Sequence, residues 1–274
     1  MDQKLVVALI SDVFCEEDAE VRLLARLAEA KEMGAQLAVI PELACNPWSP
    51  ATHHTLQSDA EPLGGLRTLL QSRCARAAQI GLVGAVMTTE GGERRNESVV
   101  FSSEGEVVAR YAKVHLPQEP GFWEQDHYGP GDRPSPIVRS FGLPFALQIC
   151  SDVNRPVGTH VAVAMGAMAV INPRSTELAT YARWRPVFEA NARTGCCYVL
   201  SVNRPAPEQG VLIGGPSVAF DPHGNVMAES TDPVVVVTLE ASELARARAL
   251  YPGYLVRDTA LYARWFAEAT APSA

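Results

Sequence analysis

The sequence predicts an α/β layered protein with a mixed sheet, on two observations. Short apolar, β-rich runs alternate along the chain with segments of helical spacing, the pattern of strands covered by helices. Two strand pairs are joined by tight turns, which adds antiparallel neighbours to a sheet otherwise connected through helices. Leu5 to Ile10 is the first strand. Glu16 to Met33 places Val21, Leu24, Leu27 and Ala28 at helical spacing, with Gly34 as its C-terminal cap. Gln36 to Ile40 reads as a strand stopped by Pro41, Leu63 to Gln79 as a helix, and Ile80 to Met87 as a strand.

Turn chemistry marks the hairpins. Ser98 to Phe101 and Val107 to Tyr111 flank Ser103-Glu104-Gly105, and Pro216 to Phe220 and Val226 to Glu229 flank Asp221-Pro222-His223-Gly224. Between them fall strand Phe145 to Cys150, a helix near Val157 to Met165, and strand Ala169 to Asn172. Helix Ala182 to Arg193 and strand Cys197 to Asn203 follow, then strand Val234 to Leu239 and a short helix to Leu250. No Gly/Ser linker or repeat divides the chain, so residues 1–274 are expected to form one domain. The segment Val256 to Ala269, with Leu261, Trp265 and Phe266, is an apolar tail that packs either on its own core or on a partner subunit.

Composition narrows the class. A hydrophobic share of 47% with 20% charged residues is enough to build a sizeable core. A net charge of −8 and a pI near 5.3 argue against a nucleic-acid partner, and no Lys/Arg-rich run offsets them. The apolar stretch after Lys4 is too short for a signal peptide, and no run approaches the roughly 20 residues of a membrane helix. Cysteines 15, 45, 74, 150, 196 and 197 show no disulfide or metal spacing. A reduced, cytoplasmic protein without a membrane partner is the expectation. His53-His54, His115, His127 and His160 lack ligand spacing, so no metal is expected.

Three reactive residues each follow an apolar run: Glu42 in Pro41-Glu42-Leu43, Lys113 in Tyr111-Ala112-Lys113-Val114-His115-Leu116-Pro117, and Cys150 in Ile149-Cys150-Ser151-Asp152. Each is expected where a buried strand ends. A thiol is a strong nucleophile once deprotonated, and a carboxylate can take its proton and pass one to a leaving nitrogen. An ammonium can hold the negative charge that develops on the attacked group. Any one of the three alone has an ordinary reading: a packed cysteine, a loop carboxylate, a surface lysine. Their joint occurrence makes a complete set for cleaving a carbon–nitrogen bond.

In these contexts the chain resembles the nitrilase superfamily of carbon–nitrogen hydrolases, which use Glu, Lys and Cys in this order. The resemblance extends through Pro120-Gly121-Phe122-Trp123-Glu124, Gly129-Pro130-Gly131-Asp132, Val202-Asn203-Arg204, Gly215-Pro216-Ser217 and Asp221-Pro222-His223-Gly224. It implies a four-layer αββα sandwich with mixed sheets, a homodimer or larger assembly, and no metal or organic cofactor. It further implies that Cys150 is the nucleophile and Glu42 the general base and acid. Lys113, with the backbone N–H of Ser151, would hold the tetrahedral intermediate. Glu124, eleven residues after Lys113, matches a second glutamate that orients the site and is preferred to Glu119 on its spacing. The Pro-Gly-Phe-Trp-Glu stretch most resembles the branch that cleaves N-carbamoyl amines and amino acids.

The sequence after Cys150 departs from the family, which usually continues with an Arg-Phe-Pro-Glu-like run. Here Val153-Asn154-Arg155-Pro156-Val157-Gly158 keeps the proline but has neither the aromatic residue nor the terminal Glu, which bears on the substrate pocket. Arg155 and Arg174 are candidates to grip a substrate carboxylate, since a guanidinium does so bidentately, although a structural ion pair is the better reading of either one alone. Asn172 is a candidate substrate hydrogen-bonding group. Trp48, Phe122 and Trp123 are candidate pocket walls, Trp48 foremost because it lies six residues from Glu42. His115, two residues after Lys113 on an alternating strand, would face the same side and support the site. Cys196-Cys197 reads as packing within a strand.

The expected substrate is therefore a small linear amide or N-carbamoyl compound, cleaved with release of ammonia. A nitrilase acting on C≡N, an acyl transferase using the same thioester, and a non-catalytic binding protein of the same fold are the alternatives.

Overall fold

A computed structural model of the protein describes residues 3–251 and 259–270. The first strand, β1 (Lys4–Ile10), is followed by α1 (Ala19–Glu32), β2 (Leu37–Val39) and α2 (Leu66–Ala78). Then come β3 (Gly81–Glu90), β4 (Glu93–Phe101), β5 (Val107–Ala112), the short pair β6 (Gln118–Glu119) and β7 (Phe122–Trp123), and the single turn α3 (Glu124–His127). The second half comprises β8 (Phe145–Leu147), α4 (Pro156–Ala164), β9 (Ala169–Arg174), α5 (Tyr181–Gly195) and β10 (Tyr198–Asn203). It ends with β11 (Ser217–Phe220), β12 (Val226–Ser230), β13 (Val234–Glu240), α6 (Ala241–Leu250) and α7 (Thr259–Thr270).

Side-chain alternation turns these elements into four layers. The six-stranded sheet runs β13-β1-β2-β3-β4-β5, and the five-stranded sheet runs β12-β11-β10-β9-β8. On β1, Leu5, Val7 and Leu9 pack with Phe145, Leu147, Ile171 and Leu200 of the other sheet. The intervening Ala8 and Ile10 point the opposite way, onto Leu23 and Leu27 of α1 and Cys74 and Ala75 of α2. The second sheet divides likewise: Ala146, Val170, Val199 and Phe220 turn away from the first sheet onto Ala162 of α4 and Phe188 and Ala192 of α5. The result is an αββα sandwich. Each fully buried Leu, Ile or Phe in its central layer contributes roughly 1.5–3 kcal/mol of transfer free energy.

Both sheets are mixed, as expected. Strand β1 pairs parallel with β2 and antiparallel with β13, while β9 lies parallel to both β8 and β10. Several boundaries shift for local reasons. Strand β3 continues to Glu90 and turns through Gly91 and Gly92 (φ 60° and 86°) into β4, a hairpin hidden in sequence by the polar run Glu93 to Asn96. The expected strand through Cys150 stops at Leu147, because Cys150 opens a 3₁₀ turn reaching Asn154. Cys196 lies at the left-handed cap of α5 (φ 45°), just before β10 rather than inside it, and both vicinal cysteines are buried. The apolar tail expected over 256–269 falls partly outside the described residues. Its described part is α7, on which Tyr262, Trp265 and Phe266 are exposed. Among the described residues no helix is long and apolar enough to cross a membrane, and no cluster of His, Cys, Asp or Glu could hold a metal ion.

Candidate active site

The three expected residues do lie just beyond strand ends. Glu42 follows β2 by three residues, Lys113 directly follows β5, and Cys150 follows β8 by three. All are buried, and so is Glu124. Lys113 Nζ donates to Glu42 Oε1 at 2.7 Å and to Glu124 Oε1 and Oε2 at 2.7 and 2.6 Å. The ammonium therefore bridges two carboxylates inside the protein. Glu42 Oε2 is buried and has no hydrogen-bond partner among the described residues.

These contacts set the charge of the site. Burial works against the Lys113 charge, but Glu124 and Glu42, with Cys150, outweigh it and hold its pKa above the usual lysine range. Burial pushes the Glu124 carboxyl up to about 8, the Lys113 ammonium opposes this, and repulsion from Glu42 adds to it. One ammonium cannot neutralise two buried carboxylates, so the pair divides: Glu124 retains a proton near neutrality. The phenol of Tyr128 hydrogen-bonds Glu124 and stays protonated, held there by burial and by the two nearby carboxylates. Burial, then Glu42, likewise raises the Cys150 thiol well above its usual value, against the pull of Lys113. At rest the sulfur is a thiol, so attack requires a base.

The backbone at Cys150 is unusual. Its φ of 47° lies in the left-handed region, which costs a non-glycine residue about 1–2 kcal/mol. Asp152 supplies much of what holds it there. Its Oδ2 accepts from Ile149 N at 3.0 Å and Tyr111 Oη at 2.8 Å, and its Oδ1 accepts from His115 N at 2.9 Å. The same Oδ1 lies 2.8 Å from His115 Nδ1. Asp152 thus ties the turn carrying Cys150 to the segment carrying Lys113. The expectation that His115 shares the face of Lys113 by strand alternation does not hold, since β5 ends at Ala112 and the chain leaves the sheet. His115 supports the site through Asp152 instead.

The loop bearing Glu42 is clamped from below. Leu43 also has positive φ (48°), and Arg204, fully buried, donates to the carbonyls of Glu42, Leu43 and Asn46 at 3.1, 2.9 and 3.0 Å while pairing with Glu208. Ser175 Oγ donates to the Glu42 carbonyl at 3.3 Å. Asn96 of β4 donates to Glu42 Oε1 at 2.8 Å, the same oxygen that Lys113 contacts. Gly131 N donates to the Lys113 carbonyl at 2.7 Å, and a Cβ there would come within 2.5 Å of the Ala112 oxygen, so only glycine allows this approach. Removing the Arg204 guanidinium should leave the Asn46 carbonyl without its donor and Glu208 without its cation, while the Glu42 and Leu43 carbonyls keep Ser175 Oγ and Asn46 N. Arg204→Ala is expected to lose about 3–5 kcal/mol of stability in urea unfolding, and a loss below about 1 kcal/mol would contradict the clamp.

A cavity of about 400 Å³ opens over Cys150 and Ser151 and is walled by Pro117, Phe122, Thr176 and Trp184. Cys150 is only 3% exposed. Several expected pocket residues are elsewhere. Trp48 is buried behind the wall, its Nε1 bonded to the Gly121 carbonyl at 2.9 Å and its ring 5.6 Å from Phe122. Trp123 stacks on His53. Arg174 does not face the cavity: it is sealed beneath the Phe188 ring, 5.4 Å from the centroid, and bonds Thr176 and the Pro216 carbonyl. Burial lowers its pKa to about 10. Arg155 is exposed and lies outside the cavity lining, because the 3₁₀ turn carries it past the opening. Asn172 donates to the Cys150 carbonyl at 3.2 Å, holding the backbone of Cys150, and is absent from the cavity lining. Ser151 does line it. Glu119 is exposed at the cavity, whereas Glu124 is the carboxylate that reaches Lys113.

The sequence reading missed Asn96, Tyr128, Ser175 and the structural work of Asp152. Asp152 had a signal, its fixed place two residues after Cys150. Asn96 sits in a polar run that reads as a loop, so nothing marked it.

The fold is an αββα sandwich that gathers Glu42, Lys113, Glu124 and Cys150 at one buried site. The chain belongs to the carbon–nitrogen hydrolase family, which it matches over residues 13–249. It is 31% identical over 199 residues to an (R)-stereoselective amidase of a Pseudomonas species, covering 70% of this chain and 69% of that protein. It is 25% identical over 261 residues to the human omega-amidase NIT2, covering 90% and 92%. Among solved structures, a carbon–nitrogen hydrolase of Helicobacter pylori superposes with a TM-score of 0.85 at 18% identity, covering 96% of this chain and 98% of that one. Saccharomyces cerevisiae Nit3, a member of branch 10 of the nitrilase superfamily, gives 0.77 at 23% identity, covering 91% and 95%.

Proposed function

We propose that the protein is an amidase that hydrolyses the carbon–nitrogen bond of a small primary amide, N-carbamoyl compounds included, and releases ammonia. The observation that carries this reading is the Lys113 ammonium shared between Glu42 and Glu124 beside a neutral Cys150 thiol. The kinship with an (R)-stereoselective amidase and with omega-amidases favours an amide over a nitrile. The Pro-Gly-Phe-Trp-Glu stretch keeps N-carbamoyl substrates within the proposal.

In the proposed cycle Glu42 Oε2 accepts the Cys150 proton as sulfur bonds the amide carbon. The carbonyl oxygen becomes an oxyanion, held by Lys113 Nζ and the backbone N–H of Ser151. Collapse breaks the C–N bond, and the proton on Glu42 passes to the departing nitrogen, which leaves as ammonia. Water then gives a proton to Glu42 and attacks the thioester carbon, and a second tetrahedral intermediate expels the sulfur, which recovers that proton. Glu124, still protonated, keeps the charge balance of the site and orients Lys113.

Ammonia release from matched amides, N-carbamoyl amines, N-carbamoyl amino acids and nitriles tests the reading. Release from amides or carbamoyl compounds supports it, and release from nitriles alone overturns it. The Glu124 carboxyl adds a pH prediction. Its raised value means that it loses its proton near pH 8, placing a second negative charge beside the thiol and the developing oxyanion. The profile of kcat/KM should therefore fall above about pH 8, and Glu124→Gln, though slower, should lack that alkaline limb. The same shift bears on stability. A carboxyl with a folded pKa above its unfolded value loses stability as pH rises, here between about 4.5 and 8.

A further inference from the structure

The outer part of the cavity is lined by three charged side chains brought in by three different segments: Glu119 of β6, Glu177 before α5, and Arg183 in the first turn of α5. Among the described residues none of the three side chains makes a hydrogen bond or ion pair. Arg185 and Arg193, on the same helix, are both paired with carboxylates. Glu119 and Arg183 are exposed and Glu177 half-buried, whereas Cys150 lies at the buried end. The cavity thus joins an apolar-walled reactive end to an outer end carrying two negative charges and one positive charge.

That arrangement discriminates between substrates by charge. A carboxylate alone would meet Arg183 but also two repelling carboxylates, and an ammonium alone would pair with a carboxylate but leave Arg183 without a partner. A head bearing both charges satisfies all three groups, since a guanidinium grips a carboxylate and a carboxylate accepts from an ammonium. From this, and resting on the amidase reading above, we infer that the substrate is a zwitterionic primary amide. Its amide reaches Cys150 while an ammonium and a carboxylate at the far end engage Glu119, Glu177 and Arg183. Arg183 takes the role for which the sequence nominated Arg155 and Arg174.

The test compares kcat/KM for four probes of similar length, read as ammonia release: L-glutamine (both charges), glutaramate (carboxylate only), 4-aminobutanamide (ammonium only) and pentanamide (neutral). L-Glutamine should exceed each of the others by about tenfold or more. Arg183→Ala should reduce the ratio of L-glutamine to pentanamide by about tenfold or more, and Glu177→Gln should reduce the ratio of L-glutamine to glutaramate. Equal values for the four probes, or ratios unmoved by both substitutions, would overturn the zwitterion while leaving the amidase intact, provided Cys150→Ala is inactive. Silence on all four probes would overturn the inference. Release that survives in Cys150→Ala would overturn the amidase reading with it.

Discussion

Cys150→Ala is expected to lower kcat for ammonia release by about 10⁴-fold or more, the scale of losing a covalent nucleophile. The fold should survive. The sulfur makes only a long contact with the Ser175 carbonyl, at 3.8 Å, and its removal leaves a small space beside the open cavity. A stability change of about 1 kcal/mol is expected from such a truncation. Substrate binding should be retained, because the walls and the outer charges are untouched. Steady-state kinetics combined with equilibrium binding of a substrate amide separates these effects. A variant that still turns over, or one that unfolds, would contradict the assignment of Cys150 as a nucleophile with little structural duty.

Lys113→Met should do the opposite: damage both activity and fold. The ammonium is the shared donor to Glu42 and Glu124, all three side chains being fully buried. Removing it leaves two carboxylates facing each other in a site they cannot leave, which costs about 3–5 kcal/mol. Loss of the oxyanion donor adds a kcat decrease of at least about 10²–10³-fold. The stability loss has a sign in pH. Lys113 holds the raised pKa of Glu124 down, so without it Glu124 binds its proton more tightly in the folded state, and the variant should lose more stability at pH 8 than at pH 5. Urea unfolding at the two values checks this, and a penalty independent of pH would show that the buried carboxylates are not its source.

The large-scale fold was legible because both sheets are built from apolar runs at strand spacing, and the four-layer order followed from resemblance to the family. Glu42, Lys113, Cys150 and Glu124 were legible because each sits in a short distinctive context. The pocket was not. Trp48 and Arg174 look like binding residues in a linear sequence, yet tertiary packing places one behind Phe122 and the other beneath Phe188. Arg183 and Glu177 carry no local signature and meet Glu119 only when α5 and the β6 segment fold over the same opening. Asn96 was hidden by charged neighbours that the β3–β4 hairpin holds in regular pairing. Buried groups just beyond strand ends follow local rules, whereas walls made by converging loops do not.

In the proposed reaction the amide carbon becomes bonded to Cys150 during turnover. Acid-quenched mass spectrometry of the protein, taken within the first turnover of an amide that releases ammonia, measures it directly. A mass increase equal to the acyl group is expected, localised to the peptide containing Cys150, decaying as product forms and absent in Cys150→Ala. Ammonia released at full rate with Cys150 unmodified throughout, or an adduct on another residue, would contradict it.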